Sequence, residues 1–163
     1  MFLRKLVLLL AVSFLFVTSA FAAGKKSEFS MNANFIDVQG QGSASVLDVS
    51  LGQFLTPQVV LGTTLTNQRN YGYTGTAISL GGKFFFMDGF RGDLVPFAGL
   101  GLGLRQAATA TNGTQGSTQY EAMLGLAFFL SDSTTIDAKL KFLNYNDSSP
   151  SITVFTAGFS QRF

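Results

Sequence analysis

Three carboxylates, Asp48, Glu121 and Asp137, and four cations, Lys83, Arg105, Lys139 and Lys141, carry most of the chemistry available to this chain. Each lies in an alternating segment, on the side opposite the leucines and phenylalanines. Two carboxylates held close together can divide general-acid and general-base work. Seven charges of both signs on one face can also neutralise one another, and this simpler reading is favoured: the acids pair with Lys83, Arg105, Lys139 and Lys141. The rest of the composition removes other chemistries. With His at 0 and Cys at 0 there is no imidazole base, no imidazole or thiolate metal ligand and no thiol nucleophile. Serine occurs outside any Gly-x-Ser-x-Gly or Ser-x-x-Lys arrangement. Gly99-x-Gly-x-Gly103 lies within an alternating segment, whereas a dinucleotide fingerprint needs a strand, a turn and a helix. Asp132 and Asp137 lack the spacing of a calcium loop. No metal, no cofactor and no enzymatic activity is implied.

The elements that position these charges read as strands. Arg4 and Lys5 precede an apolar run from Leu6 to Val17 and then small residues, with Ala20 and Ala22 in an A-x-A arrangement. This is the pattern of a cleaved secretory signal peptide, residues 1–22, with cleavage at Ala22 and Ala23 as the neighbouring alternative. A membrane-spanning helix needs about 20 apolar residues, more than this run offers. Of the 11 Lys and Arg, Arg4 and Lys5 leave with the signal, so 9 cations face 9 acids and the mature chain is formally neutral. That balance removes the basic footprint of a nucleic-acid binder. What remains, residues 23–163, has the length of one domain.

No apolar stripe of helical period follows Ala23, and period-two alternation recurs instead. Phe29, Met31, Ala33 and Phe35 alternate with polar residues before a break at 39–43, and Leu47, Val49 and Leu51 follow. Thr56-Pro-Gln58 turns the chain into Val59, Leu61, Thr63 and Leu65, and after Asn70 to Gly75 come Ile78, Leu80, Phe84 and Phe86. A turn over Met87 to Asp93 leads to Pro96, Ala98, Leu100, Leu102 and Leu104, facing away from Phe97, Gly99, Gly101, Gly103 and Arg105. The stretch Ala107 to Thr118 reads as the longest loop. Tyr120 to Leu130, Ile136 to Leu143 and Ser151 to Phe163 complete the set, with Ser131 to Ser133 as a turn and Asn146 to Pro150 as a connection. Eight strands joined alternately by short turns and longer loops predict an all-β, antiparallel up-and-down barrel.

Side-chain volume and charge orient its faces. The interior of an eight-stranded barrel is just wide enough to be filled by side chains, so glycines suit it and a face of Leu and Phe does not. Only 12% of the chain is charged, and the seven strand charges share the glycine-rich face. An Arg or Lys facing lipid near the midplane costs about 2–4 kcal/mol, so the charged face belongs in the lumen and the apolar face in a bilayer. Two aromatic girdles follow: Tyr71, Tyr73, Tyr120 and Tyr145 at one rim, and Phe54, Phe84, Phe86, Phe90, Phe128 and Phe163 at the other. Among the loop residues Arg69 and Asp147 are the main ionisable groups.

With this signal, these eight segments, the Pro96-Phe-Ala-Gly-Leu-Gly-Leu-Gly-Leu104 strand and the terminal Phe163, the chain resembles small eight-stranded outer-membrane barrels of the OmpA and OmpX transmembrane type. The resemblance implies residence in a bacterial outer membrane and contact with its lipid. It also implies recognition of the last strand by the outer-membrane assembly machinery through Phe155, Phe159 and Phe163. Gln161 departs from that pattern, which usually has an apolar residue there. A peptidoglycan-binding domain like that of full-length OmpA-type proteins is not expected here, and the sequence lacks the histidine on which small outer-membrane acyltransferases, deacylases and omptin-type proteases depend. The expected role is structural, a monomer supporting membrane integrity with its lumen filled by side chains. The alternatives are a narrow pore or solute channel, and surface binding through the external loops.

Overall fold

The computed structural model describes residues 26–38, 42–70, 73–87, 93–109, 113–147 and 151–163. The export segment with Ala20 and Ala22 lies outside them, as do Tyr71 and Phe90 of the expected girdles. Eight strands follow in chain order: β1 (Ser27–Val38), β2 (Gly42–Thr56), β3 (Val59–Asn70), β4 (Tyr73–Phe85), β5 (Leu94–Thr109), β6 (Gly113–Phe129), β7 (Thr134–Tyr145) and β8 (Ile152–Arg162). Every neighbouring pair is antiparallel, and β8 returns to pair with β1, closing the barrel. No sheet edge is left along the wall, which is what hydrocarbon requires of a β structure. Backbone bonds from Ser27 N to Phe163 O (2.8 Å) and from Phe163 N to Ser27 O (3.0 Å) extend the seam to the last residue.

The turns are made by local chemistry. At the end that carries both termini, Thr56 Oγ1 accepts from Gln58 N (3.3 Å) and Val59 N (3.1 Å), with Pro57 presetting the bend. Ser131 Oγ does the same for Ser133 N (3.3 Å) and Thr134 N (3.1 Å) between β6 and β7. At the far end the strands run longer than the sequence suggests. Ala107 to Thr109 pair with Gln115 to Gly113, so the described parts of the expected long loop continue β5 and β6, with Gly113 at φ 66°; residues 110–112 lie outside the described residues. Likewise Tyr73 to Gly75 pair with Asn70 to Gln68. Polarity signals a loop only where a strand is flanked by a core; beyond an apolar belt, Thr, Gln and Ser extend a hairpin without penalty.

The pairing is staggered. A row followed from Ser27 through Gln53, Leu61, Gly82, Leu100, Ala122, Phe142 and Thr153 returns to β1 opposite Asp37, ten residues from its start, when the β1–β8 register is extended beyond its last pair, Ala33 with Ala157. Rows therefore climb toward the far end as they circle the barrel, and residues in one row sit at different depths.

One row governs the interior. Gly52, Gly62, Gly81 and Gly101 are consecutive partners across β2 to β5, with Glu28 at one end and Glu121 at the other. A methyl added at Gly62 would lie 2.5 Å from Leu51 O and 2.7 Å from Gly52 Cα, so the β2 backbone occupies the space a side chain would need. At Gly101 the intruding methyl would meet the Glu121 carboxyl at 2.6 Å. The glycines thin one wall so that side chains from β6 and β7 can fill the lumen. Gly62→Ala is expected to cost about 1–3 kcal/mol, because overpacking outweighs the small entropic gain from replacing glycine. Urea unfolding of the detergent-solubilised barrel measures this, and unchanged stability would mean that the row is not tightly packed.

Outside, Leu100, Leu102, Leu124, Leu126, Phe128 and Leu140 are exposed around the wall, as the volume argument requires. Inside, at the terminal end, Val60, Phe85, Val95, Phe97, Met123 and Ala127 form the one apolar cluster among the described residues, with Phe54, Met87 and Phe129 against it.

Candidate functional site

The lumen is the site, and alternation delivers its side chains: even positions on β1, β2, β3 and β8, odd positions on β4 to β7. Asp48, Lys83, Arg105, Glu121, Asp137, Lys139 and Lys141 all point inward. They fall into three layers.

In the middle layer Lys141, only 1% exposed, is held from two sides. Its Nζ donates to both oxygens of Asp48 at 3.0 Å and to Thr66 Oγ1 at 3.2 Å, and lies 3.2 Å from Glu121 Oε2. Thr66 in turn donates to Asp48 Oδ1 (2.6 Å), while Ser79 and Gln119 donate to Glu121 at 3.3 and 3.4 Å. Beside it, with its amide assigned from its partners, Asn32 donates to Asp137 Oδ1 (2.5 Å) and accepts from Lys139 Nζ (3.1 Å). Ser160 donates to Asp137 Oδ2 at 3.2 Å. A cavity of about 40 Å3 remains between this layer and the glycine wall, enough for water but not for a solute.

In the terminal layer Lys83 pairs with Glu28, which also meets Arg162 Nε at 3.7 Å. The Arg162 guanidinium lies 4.4 Å from the Phe129 ring and 4.8 Å from Phe54, over the apolar cluster. In the far layer Arg105, 2% exposed, stacks on Tyr145 at 3.9 Å and pairs with Asp147 at 3.7 Å. Tyr145 donates to Gln68 Oε1 at 3.1 Å.

This arrangement alters several expectations. Lys83 and Arg105 do not pair with Asp48, Glu121 or Asp137; their partners are Glu28 and Asp147. The climb of the rows is the reason: Lys83 and Lys141 share a row through Gly99 and Met123, yet lie at different depths. Asp147 is a partner for the lumen and not simply a loop charge. Tyr145 turns inward, because it has the parity of Lys139 and Lys141, so it is no girdle residue. Phe54 shares the parity of Asp48 and Gly52 and stacks on Phe85 at 6.4 Å. Tyr120, Phe84, Phe86, Phe128 and Phe163 do face outward. Glu28 and Arg162 complete the network without having been singled out by sequence; the alternation of Glu28 with Phe29 and of Arg162 with Gln161 held the signal.

The three assembly candidates, Phe155, Phe159 and Phe163, line the outer face of β8, and Phe159 packs on Phe29 of β1 at 6.3 Å. Among the described residues no group of three or more His, Cys, Asp or Glu is placed to hold a metal ion.

Solved structures share this architecture. Neisserial surface protein A superposes with a TM-score of 0.63 at 16% identity, over 85% of this chain and 95% of that one. The fold is that of the small outer-membrane barrels. Ail of Yersinia pestis, in a phospholipid bilayer nanodisc, gives 0.55 at 15% identity, over 85% of this chain and 99% of its own. OprG of Pseudomonas aeruginosa gives 0.54 at 12%, over 86% and 96%. Identities this low concern the fold alone. No protein-family model matches the sequence, and no curated protein matches it. As an outer-membrane-type barrel, the protein presents an apolar exterior and a lumen lined by paired charges.

Proposed function

We propose that this chain is an integral barrel of a bacterial outer membrane, exported by a signal peptide, that supports membrane integrity and does not conduct. The observation that carries this reading is charge balance in a filled lumen. Among the described residues five carboxylates (Glu28, Asp48, Glu121, Asp137, Asp147) face five cations (Lys83, Arg105, Lys139, Lys141, Arg162). Buried charges persist only when paired, and an interior with both signs matched has no surplus to select a permeant ion. The Phe cluster closes the terminal end, and Arg105 on Tyr145 narrows the other. Planar-bilayer recordings test the reading: no stable conductance is expected. A steady conductance that changes in Arg105→Ala or Glu121→Ala would establish the narrow-pore alternative.

The proposed partners are outer-membrane lipid, through the exposed leucines and phenylalanines, and the assembly machinery, through Phe155, Phe159 and Phe163. A monomer is favoured because the closed seam between β1 and β8 leaves no edge along the wall to recruit a second copy. Deleting Phe163 is expected to lower the yield of assembled barrel several-fold in cells while leaving refolding in detergent nearly unchanged. Equal loss in both settings would make Phe163 a structural residue of the seam and not a recognition element.

A further inference from the structure

The lumen is neutral as a whole but not layer by layer. In the middle layer Asp48, Glu121 and Asp137 face two lysines, Lys139 and Lys141, whereas at the terminal end the single carboxylate of Glu28 is shared by Lys83 and Arg162. Counting the lumenal side chains of the described residues, this layer thus holds a surplus cation, and Arg162 lines a pocket of about 560 Å3 there. Phe54 and Phe129 flank the guanidinium at 4.8 and 4.4 Å, and Glu28 stands at its Nε. Nε and Nη2 are buried donors that make no hydrogen bond among the described residues. Exposed Lys26 stands on the rim, with Asp132 as the one carboxylate, and the remaining walls include Leu55 and Met87.

We propose that this pocket binds an anionic amphiphile: one carboxylate or phosphate held by Arg162 and Lys26, on an apolar chain lying against Phe54, Met87 and Phe129. Arginine matches planar oxyanions through its fork of donors, and the rings exclude water from the contact, which strengthens it. A purely apolar ligand would leave the surplus cation unanswered, and a small hydrophilic anion would leave the Phe and Met walls uncovered. The head group can come from a fatty acid in the aqueous phase or from a phospholipid of the adjoining leaflet.

The chain has no Trp, so Leu55→Trp places a single fluorophore at the rim. The folded barrel, in non-ionic detergent, is titrated with a brominated fatty acid and with its methyl ester, and in bilayer discs with brominated anionic or zwitterionic phospholipid. Saturable quenching by the acid, and at least about tenfold weaker quenching by the ester, is expected. Arg162→Gln should weaken binding by a similar factor. Glu28→Gln should tighten it, by removing the carboxylate that competes for Arg162. Lys26→Glu reverses an exposed charge with no packing role and should weaken binding several-fold, so the outcome does not depend on Arg162→Gln folding. Heat-modifiable migration checks the fold of each variant. Quenching by anionic phospholipid in discs assigns the source to the membrane; quenching by the acid alone assigns it to the aqueous phase. Equal quenching by acid and ester, or binding unchanged in both Lys26→Glu and Arg162→Gln, would overturn the proposal.

Discussion

Replacing Lys141 by methionine is expected to destabilise the folded barrel by about 3–5 kcal/mol, the cost of leaving buried charges without their partner. Methionine fills nearly the same volume, so the loss is electrostatic. Among the described residues Asp48, 1% exposed, would keep only its side-chain bond from Thr66, and Glu121 those from Ser79 and Gln119. Denaturant titration of the detergent-solubilised protein, followed by circular dichroism, reads the change. The triple variant Lys141→Met, Asp48→Asn, Glu121→Gln removes the orphaned charges together and should recover most of the stability. A single variant as stable as the parent would show that water, and not Lys141, neutralises the two acids.

The second large effect belongs to the outer wall. Leu124 is 58% exposed and lies on β6 midway between outward-facing Tyr120 and Phe128, the two aromatics that mark the edges of the apolar belt. Leu124→Arg should therefore cost about 2–4 kcal/mol when the barrel is folded into phospholipid vesicles, since a guanidinium near the midplane loses its hydration. The same change at Gln106, on the outer face beyond the belt, should cost about 1 kcal/mol or less. The contrast between the two positions measures membrane placement directly. Equal effects, or a mature chain that stays in solution without detergent, would contradict a lipid-facing Leu124.

Much of the barrel was legible because period two reports both strand and face. The Pro96 to Arg105 segment separates leucines from glycines without ambiguity, and the volume of an eight-stranded interior says which set goes inside. Thr56-Pro-Gln58 and Ser131 to Ser133 announce their turns through side chains that bond the local backbone. Strand ends at the far rim were less legible: Ala107 to Thr118 has the composition of a loop, and only pairing with β4 and across their own hairpin makes its described residues, 107–109 and 113–118, sheet. Tyr145 and Phe54 depart from the girdles for a related reason. Residue type suits them to a girdle, but their parity with Lys141 and Asp48 places them inside.

The identity of each lumenal pair had no sequence signal at all. Asp48 and Lys141 are 93 residues apart on strands that are not neighbours, and their contact at 3.0 Å depends on closure and on the climb of the rows. The same stagger brings Lys83 to Glu28 and Arg105 to Asp147. By itself the sequence determined the strands, the two faces and the charges committed to the interior, because alternation is a local property of the backbone. The tertiary structure alone decided which charges meet, which glycines form a row and where a surplus cation is left beside a pocket, because these depend on depth. Depth is set by the register summed around all eight strands, and no single segment contains it.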